Sequence, residues 1–131
     1  MKLLGLDIGE ARIGVAIAED SLVASFGIIN VDDFSSALKE LSQIVRQEKI
    51  DKIVVGIPKS KNPVQQDKIY KFVIELTKLL SVEIAFTDET LTSKEAERQL
   101  ENQHLDVKSV RYKEEVDKLS AKMILEQYLQ K

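Results

Sequence analysis

Apolar positions along this chain change their period several times, and each change marks an element. Lys2 to Ile8 and Arg12 to Ala18 are two short, nearly continuous apolar runs rich in Leu, Ile and Val. Only Gly9, Glu10 and Ala11 separate them. That leaves room for a tight connection, so the runs predict an antiparallel hairpin. Ser21 to Asn30 (SLVASFGIIN) follows a turn at Glu19-Asp20 and reads as a third strand, completing a meander. From Val31 to Lys49 the period becomes helical: Phe34, Leu38, Leu41 and Val45 recur with Ala37 and Ile44 beside them, and Asp32 or Asp33 is placed to cap the start. Ile50 to Ile57 is again continuously apolar, the pattern of a parallel strand buried on both faces. Beyond the polar Lys59–Asn62 loop, Asn62-Pro63 opens a helix whose apolar stripe is Ile69, Phe72, Val73, Leu76 and Leu79. Val82 to Thr87 predicts a fifth strand, ending at Asp88-Glu89. Thr92 and Glu95 form a capping box for a helix to about Glu101, Gln103 to Arg111 reads as a loop, and Lys113 to Leu129 as the final helix.

The element order is therefore β-β-β-α-β-α-β-α-α, with no repeat or interdomain linker, and residues 1–131 are expected to form a single α/β domain. Right-handed crossovers set the fourth and fifth strands parallel to the first. Their C-terminal ends then share the edge at which open α/β sheets bind ligands. Asp7, Pro58-Lys59 and Asp88-Glu89 converge there.

Composition narrows the function classes. Apolar residues make up 44% and charged residues 31%, ordinary for a globular domain. No apolar run approaches the roughly 20 residues of a membrane span, and no signal-type segment opens the chain. Neither membrane attachment nor export is expected. With no cysteine, disulfides and thiolate metal sites are excluded, and the cytoplasm is the expected compartment. A net charge of −3 argues against a general polyanion binder, so any nucleic-acid contact must use a local basic patch.

The chemistry therefore rests on acids. Asp7 lies near the end of an otherwise apolar strand, where an ionised carboxylate is costly unless a cation or donor meets it. It reads either as a metal ligand or catalytic group, or as a cap bonded to the backbone of Gly9. Asp117 shares a helix stripe with Ala121, Ile124 and Tyr128. One turn into the predicted helix, it could equally complement the helix dipole. Carboxylates brought together from a first strand, a neighbouring strand end and a covering helix suit Mg²⁺ or Mn²⁺, hard cations that take oxygen ligands. Two such ions about 4 Å apart activate water and stabilise the leaving oxygen of a phosphodiester. The ligands of a zinc hydrolase are missing: His104 is the one histidine and reads as a solvated loop residue.

Four stretches, LGLDIGEARIGVA, VVGIPKS, TDETLTSKEAERQL and VDKLSAKMILEQYL, together resemble in order and spacing the motifs of the YqgF family. Its members are Holliday-junction-resolvase-like proteins, also described as pre-16S rRNA nucleases. The resemblance spans essentially the whole chain. It implies an RNase H-like fold with a five-stranded mixed sheet in order 3-2-1-4-5 and helices on both faces. It also implies divalent-metal-dependent phosphodiester hydrolysis in ribosomal RNA maturation or on branched DNA. Carried over, Asp7 matches the family's first-strand acid and Asp117 its acid in the last helix. The middle ligand is Glu89 or Asp88, with Glu89 preferred for its longer reach and its place nearer the open edge. Thr90 stands where the family commonly has Arg, Ala11 where it has Lys, and Lys59–Asn62 replaces an Asn-Met-Asp-Gly type loop.

Arg12, Lys59 and Lys61 at the strand edge, Arg98 on a helix face with Lys94, and Arg111 with Lys108 and Lys113 are the basic residues placed to meet a nucleic acid. A junction resolvase is expected to act as a homodimer, since a four-way junction presents paired scissile sites. Two rival readings keep the same fold: a catalytically silent RNA- or protein-binding domain, and a phosphate-binding module of the actin, Hsp70 and sugar-kinase type. The second needs two such domains to enclose ATP, and this length supplies one.

Overall fold

The two opening apolar runs pair as β1 (Lys2–Ile8) and β2 (Arg12–Glu19), in antiparallel register with Ile8 opposite Ile13 and Asp7 opposite Gly14. Their turn is closed by backbone alone, the Gly9 N–H donating to the Arg12 carbonyl at 2.9 Å. That bond takes the donor a capping Asp7 would need. In this computed structural model, residues 1–57, 63–88, 98 and 110–130 are described. β3 (Leu22–Asn30) continues the meander against β2, with a register shift at Val15/Ala16. β4 (Lys52–Ile57) pairs parallel with β1, and β5 (Glu83–Asp88) parallel with β4. The sheet order is β3-β2-β1-β4-β5, as the motifs imply.

Three described helices cover it: α1 (Phe34–Gln47), α2 (Pro63–Leu79) and α3 (Val110–Leu129). Of the two candidate caps for α1, Asp33 is the one used, its carboxylate accepting from the Ser36 N–H. Past the Glu48 cap, Lys49 takes the left-handed region at φ 55° and closes the helix, and the Ile50 N–H returns to the Val45 carbonyl at 3.0 Å. The predicted caps Asn62 and Thr92–Glu95, and the helix expected to run from Thr92 to about Glu101, lie outside the described residues apart from Arg98, which is helical. α3 starts three residues earlier than its apolar period indicates, because Val110, Arg111 and Tyr112 are already helical. Asp117 is therefore two turns in. The dipole explanation for it fails, since that effect is confined to the first turn.

Strand alternation divides the interior into two layers. Leu4, Leu6 and Ile8 of β1, with Ile53, Val55 and Ile57 of β4, bury against Leu38 and Leu41 of α1 and Ile69, Phe72 and Leu76 of α2. The opposite face is built from smaller residues: Leu3, Ala16, Ala18 and Val54 meet Ala121, Ile124 and Leu125 of α3. Small side chains let α3 come very close. A Cβ on Gly5 would lie 2.5 Å from Leu125 Cγ and 3.1 Å from the Ala121 carbonyl, and one on Gly14 would overlap the main-chain carbonyl of Asp117. Among the described residues no helix is long and apolar enough to cross a membrane.

Alanine substitution at the two glycines tests this close approach. Gly14→Ala meets backbone that cannot rotate away and should cost about 3 kcal/mol, the upper part of the overpacking range. Gly5→Ala chiefly displaces a leucine side chain and should cost less. Urea unfolding of the two variants measures both losses, and equal losses would show that the helix backbone yields as readily as a side chain.

Candidate active site

Asp7 is the last odd-numbered residue of β1. Leu3 and Gly5, two and four positions earlier, already face α3, so alternation turns Asp7 to that same face at the C-terminal edge of the sheet. Its cross-strand partner is Gly14. Directly over Gly14 lies the backbone of Asp117. Paired residues in an antiparallel ladder have Cα atoms about 5 Å apart, so Gly14 joins the two aspartates across a single strand spacing. Both side chains are half-buried, with Asp117 24% exposed.

Arg12 completes the cluster. It begins β2 on the face of Gly14, and its Nε donates to Asp117 Oδ2 at 2.9 Å. Burial pushes the Asp117 carboxyl above its ordinary value. The Arg12 hydrogen bond and charge oppose that rise, and Glu114, one turn earlier, adds to it. Asp117 is thus a carboxylate partly removed from water and only partly compensated by Arg12.

The remaining candidates are distributed as follows. Asp88 ends β5 in register with Ile57, and Phe86, two residues before it, packs its ring on Tyr70 of α2 at 5.3 Å. The register and alternation thus place Asp88 on the α2 face, away from Asp7, even though it reaches the same edge. Glu89, Lys59, Lys61 and His104 lie outside the described residues. Arg98 and Arg111 are exposed. Among the described residues no three acids or histidines converge as a metal cluster; Asp7 and Asp117 lie on the same face of the sheet at this edge. A cavity of about 340 Å³ opens on the other side of the sheet, between the hairpin turn, Phe34 and α2. It is predominantly apolar, and its one carboxylate, Glu10, is paired with Lys68 at 3.0 Å, so it offers nothing to a hard cation.

Two functional features escaped the sequence reading. Gly14 is one, although an isolated glycine inside an apolar strand is a recognised sign of close backbone approach. The other is the bond from Arg12 to Asp117, 105 residues apart, for which no local pattern exists.

The family model for RuvX, described as Holliday junction resolvase, matches residues 1–131. This chain belongs to that family. RuvX-family relatives include a protein of Caldanaerobacter subterraneus subsp. tengcongensis named "Putative pre-16S rRNA nuclease". It is 37% identical over 134 residues, spanning 98% of this chain and 96% of that protein. A Streptococcus agalactiae protein of the same name is 34% identical over 136 residues, spanning 98% and 97%. Among solved structures, T. thermophilus RuvC in complex with a Holliday junction substrate aligns with TM-score 0.62 at 11% identity, over 99% of this chain and 95% of that one. Fowlpox virus resolvase with Holliday junction DNA aligns with TM-score 0.58 at 14% identity over the full length of both. At such identities the likeness is one of fold, and it is the RNase H-like fold expected from the motifs. The RuvX assignment makes the chain a nuclease, a hydrolase of phosphodiester bonds.

The electrostatics of Asp117 give a signed prediction for the metal-free protein. Its folded-state pKa is raised, so between the ordinary aspartate value and the raised one the folded protein binds a proton that the unfolded chain has lost. Stability should therefore decrease as pH rises through that window. Carboxyl ¹³C titration should place Asp117 above the ordinary aspartate range, and Arg12→Gln should move it higher still by removing the opposing charge.

Proposed function

We propose that this protein is a divalent-metal-dependent nuclease acting on pre-16S ribosomal RNA in the cytoplasm, with residues 1–131 as its single catalytic domain. One observation supports the reading: the Asp117 backbone rests on Gly14, the cross-strand partner of Asp7, and the Asp117 carboxylate accepts from Arg12 at the C-terminal edge of the sheet. The donor set fits the metal. Mg²⁺ is commonly held by one or two carboxylates, with waters and substrate phosphates completing the shell, and the site has oxygen donors without Cys or described His. Asp7 and Asp117 would hold Mg²⁺ or Mn²⁺, and Glu89, the residue after β5, would be the third ligand. A bound cation supplies an activated water and charge stabilisation for the leaving oxygen.

The chain's own residues do the rest. Asp7 and Asp117 are fixed by a strand ladder and a packed helix, so their oxygens need little reorganisation. Arg12 presents a planar guanidinium at the same edge, suited to orienting a phosphate. Lys59, Lys61, Arg98 and Arg111 would extend the contact along the nucleic-acid backbone. The substrate assignment rests on relatives of 34–37% identity that carry the pre-16S rRNA name over nearly their full length. Branched DNA is the second candidate substrate, favoured by the junction-bound fold neighbours, and on it the protein would work as a homodimer.

Purified protein incubated with end-labelled precursor rRNA or a four-way DNA junction, in Mn²⁺, Mg²⁺ or EDTA, tests the reading. Cleavage of the RNA should require the cation. Loss of an outer-shell partner of a metal site typically costs 10- to 100-fold, so Asp7→Asn, which removes a ligand itself, should reduce cleavage by at least ~100-fold with its thermal transition retained. Binding without cleavage under every ion would identify a silent RNA-binding domain, and cleavage confined to the junction would reassign the substrate.

A further inference from the structure

Among the described residues, the basic side chain that meets Asp117 is Arg12, and it is already occupied there. We propose that Arg12 is an internal stand-in for the metal: it neutralises Asp117 while the site holds no cation, and is displaced toward the substrate phosphate when one binds. This deepens the proposed nuclease function and rests on Asp7 and Asp117 being the metal ligands.

The geometry supports both halves of the exchange. Asp117 is half-buried, and Arg12 Nε meets its Oδ2 at 2.9 Å. A carboxylate so placed without a counter-charge would be strongly disfavoured. Asp7 lies on the same face of the sheet, paired across the ladder with Gly14, the residue on which the Asp117 backbone rests. A divalent ion at the carboxylates would repel Arg12 and compete for the oxygen it holds. Arg12 is the first residue of β2, and its side chain is 21% exposed. It is therefore near enough to solvent to swing outward without disturbing the ladder, and its backbone carbonyl, which closes the hairpin turn, can stay in place. The surrounding charges on α3 reinforce the direction of the exchange: Glu114 lies one turn before Asp117, and Lys118 is paired with Glu115 at 3.0 Å rather than with Asp117. Once released, the guanidinium stands beside the bound ion with free donors for a phosphate. Cation loading and substrate contact thus become coupled through one side chain.

Isothermal titration of Mn²⁺ into the full chain, its Arg12→Gln variant and its Asp7→Asn variant tests this. Removing the competing charge should tighten Mn²⁺ binding in Arg12→Gln by about tenfold, within the range common for coupled sites, while Asp7→Asn should weaken it. A second measurement needs no variant. The Arg12 Nε–H resonance in ¹⁵N NMR of the wild-type protein should be protected from exchange in the apo state and should lose that protection on addition of diamagnetic Mg²⁺. Unchanged or weaker Mn²⁺ binding in Arg12→Gln, or an Arg12 signal indifferent to Mg²⁺ at saturating concentration, would overturn the stand-in role alone. No Mn²⁺ binding by the wild-type chain, or binding indifferent to Asp7→Asn, would overturn the metal site itself.

Discussion

Gly14 has no side chain, and the main chain of Asp117 occupies the space where one would be. That single close approach governs the geometry of the sheet edge proposed as the active site. It fixes how near α3 comes to the sheet, the point along α3 that lies over the hairpin, and therefore which helical residue faces Asp7. A helix resting on larger residues would stand further from the strands, and its Asp117 carboxylate would lie further from Arg12. The second glycine contact, Gly5 under Leu125 and the Ala121 carbonyl, extends the same closeness along the helix, so α3 is held at two points on its axis and its rotation is set.

The two faces of the sheet divide the work. On one side α1 and α2 bury large aliphatic and aromatic residues, and each fully buried Leu or Ile there contributes roughly 1.5–3 kcal/mol. On the other side the contact is thinner, built on Gly, Ala and a few branched residues. This division resolves a conflict between stability and chemistry. Asp117 is held partly out of water at an energetic cost that burial raises and Arg12 only partly offsets, and that cost is borne by the core across the sheet. In the proposed mechanism, a cation arriving at this under-compensated carboxylate would offset that cost, with the strand ladder and helix holding the acid in place.

Membership of the RuvX family and an RNase H-like fold place this arrangement among nucleases, but the particular chain adds its own detail. With Ala11 and Thr90 where basic residues are common in the family, Arg12 is the basic residue that the first motif retains, and it is bonded to an acid of the site. In the proposed mechanism that one side chain would serve both the cation-binding acids and the nucleic-acid phosphate.

Much of this was legible in the sequence, because local patterns specify local structure. The alternation and apolar runs of Lys2–Ala18, the helical stripes from Phe34 and Ile69, and the capping role of Asp33 depend only on neighbours a few residues away, and the right-handed crossover rule then orders the sheet. Asp7 stands out for the same reason: a lone acid in an apolar strand is a local anomaly. The start of α3 was misread because Val110 to Tyr112 show no apolar period of their own, and with it went the distance of Asp117 from the helix terminus. The face taken by Asp88 is settled only by the β4–β5 register, which sends it to the α2 face. Above all, that Asp117 sits on Gly14 and receives a hydrogen bond from Arg12 depends on contacts between residues about a hundred positions apart. No local period encodes such a distance; it follows from where a helix can lie on a sheet once two side chains are absent.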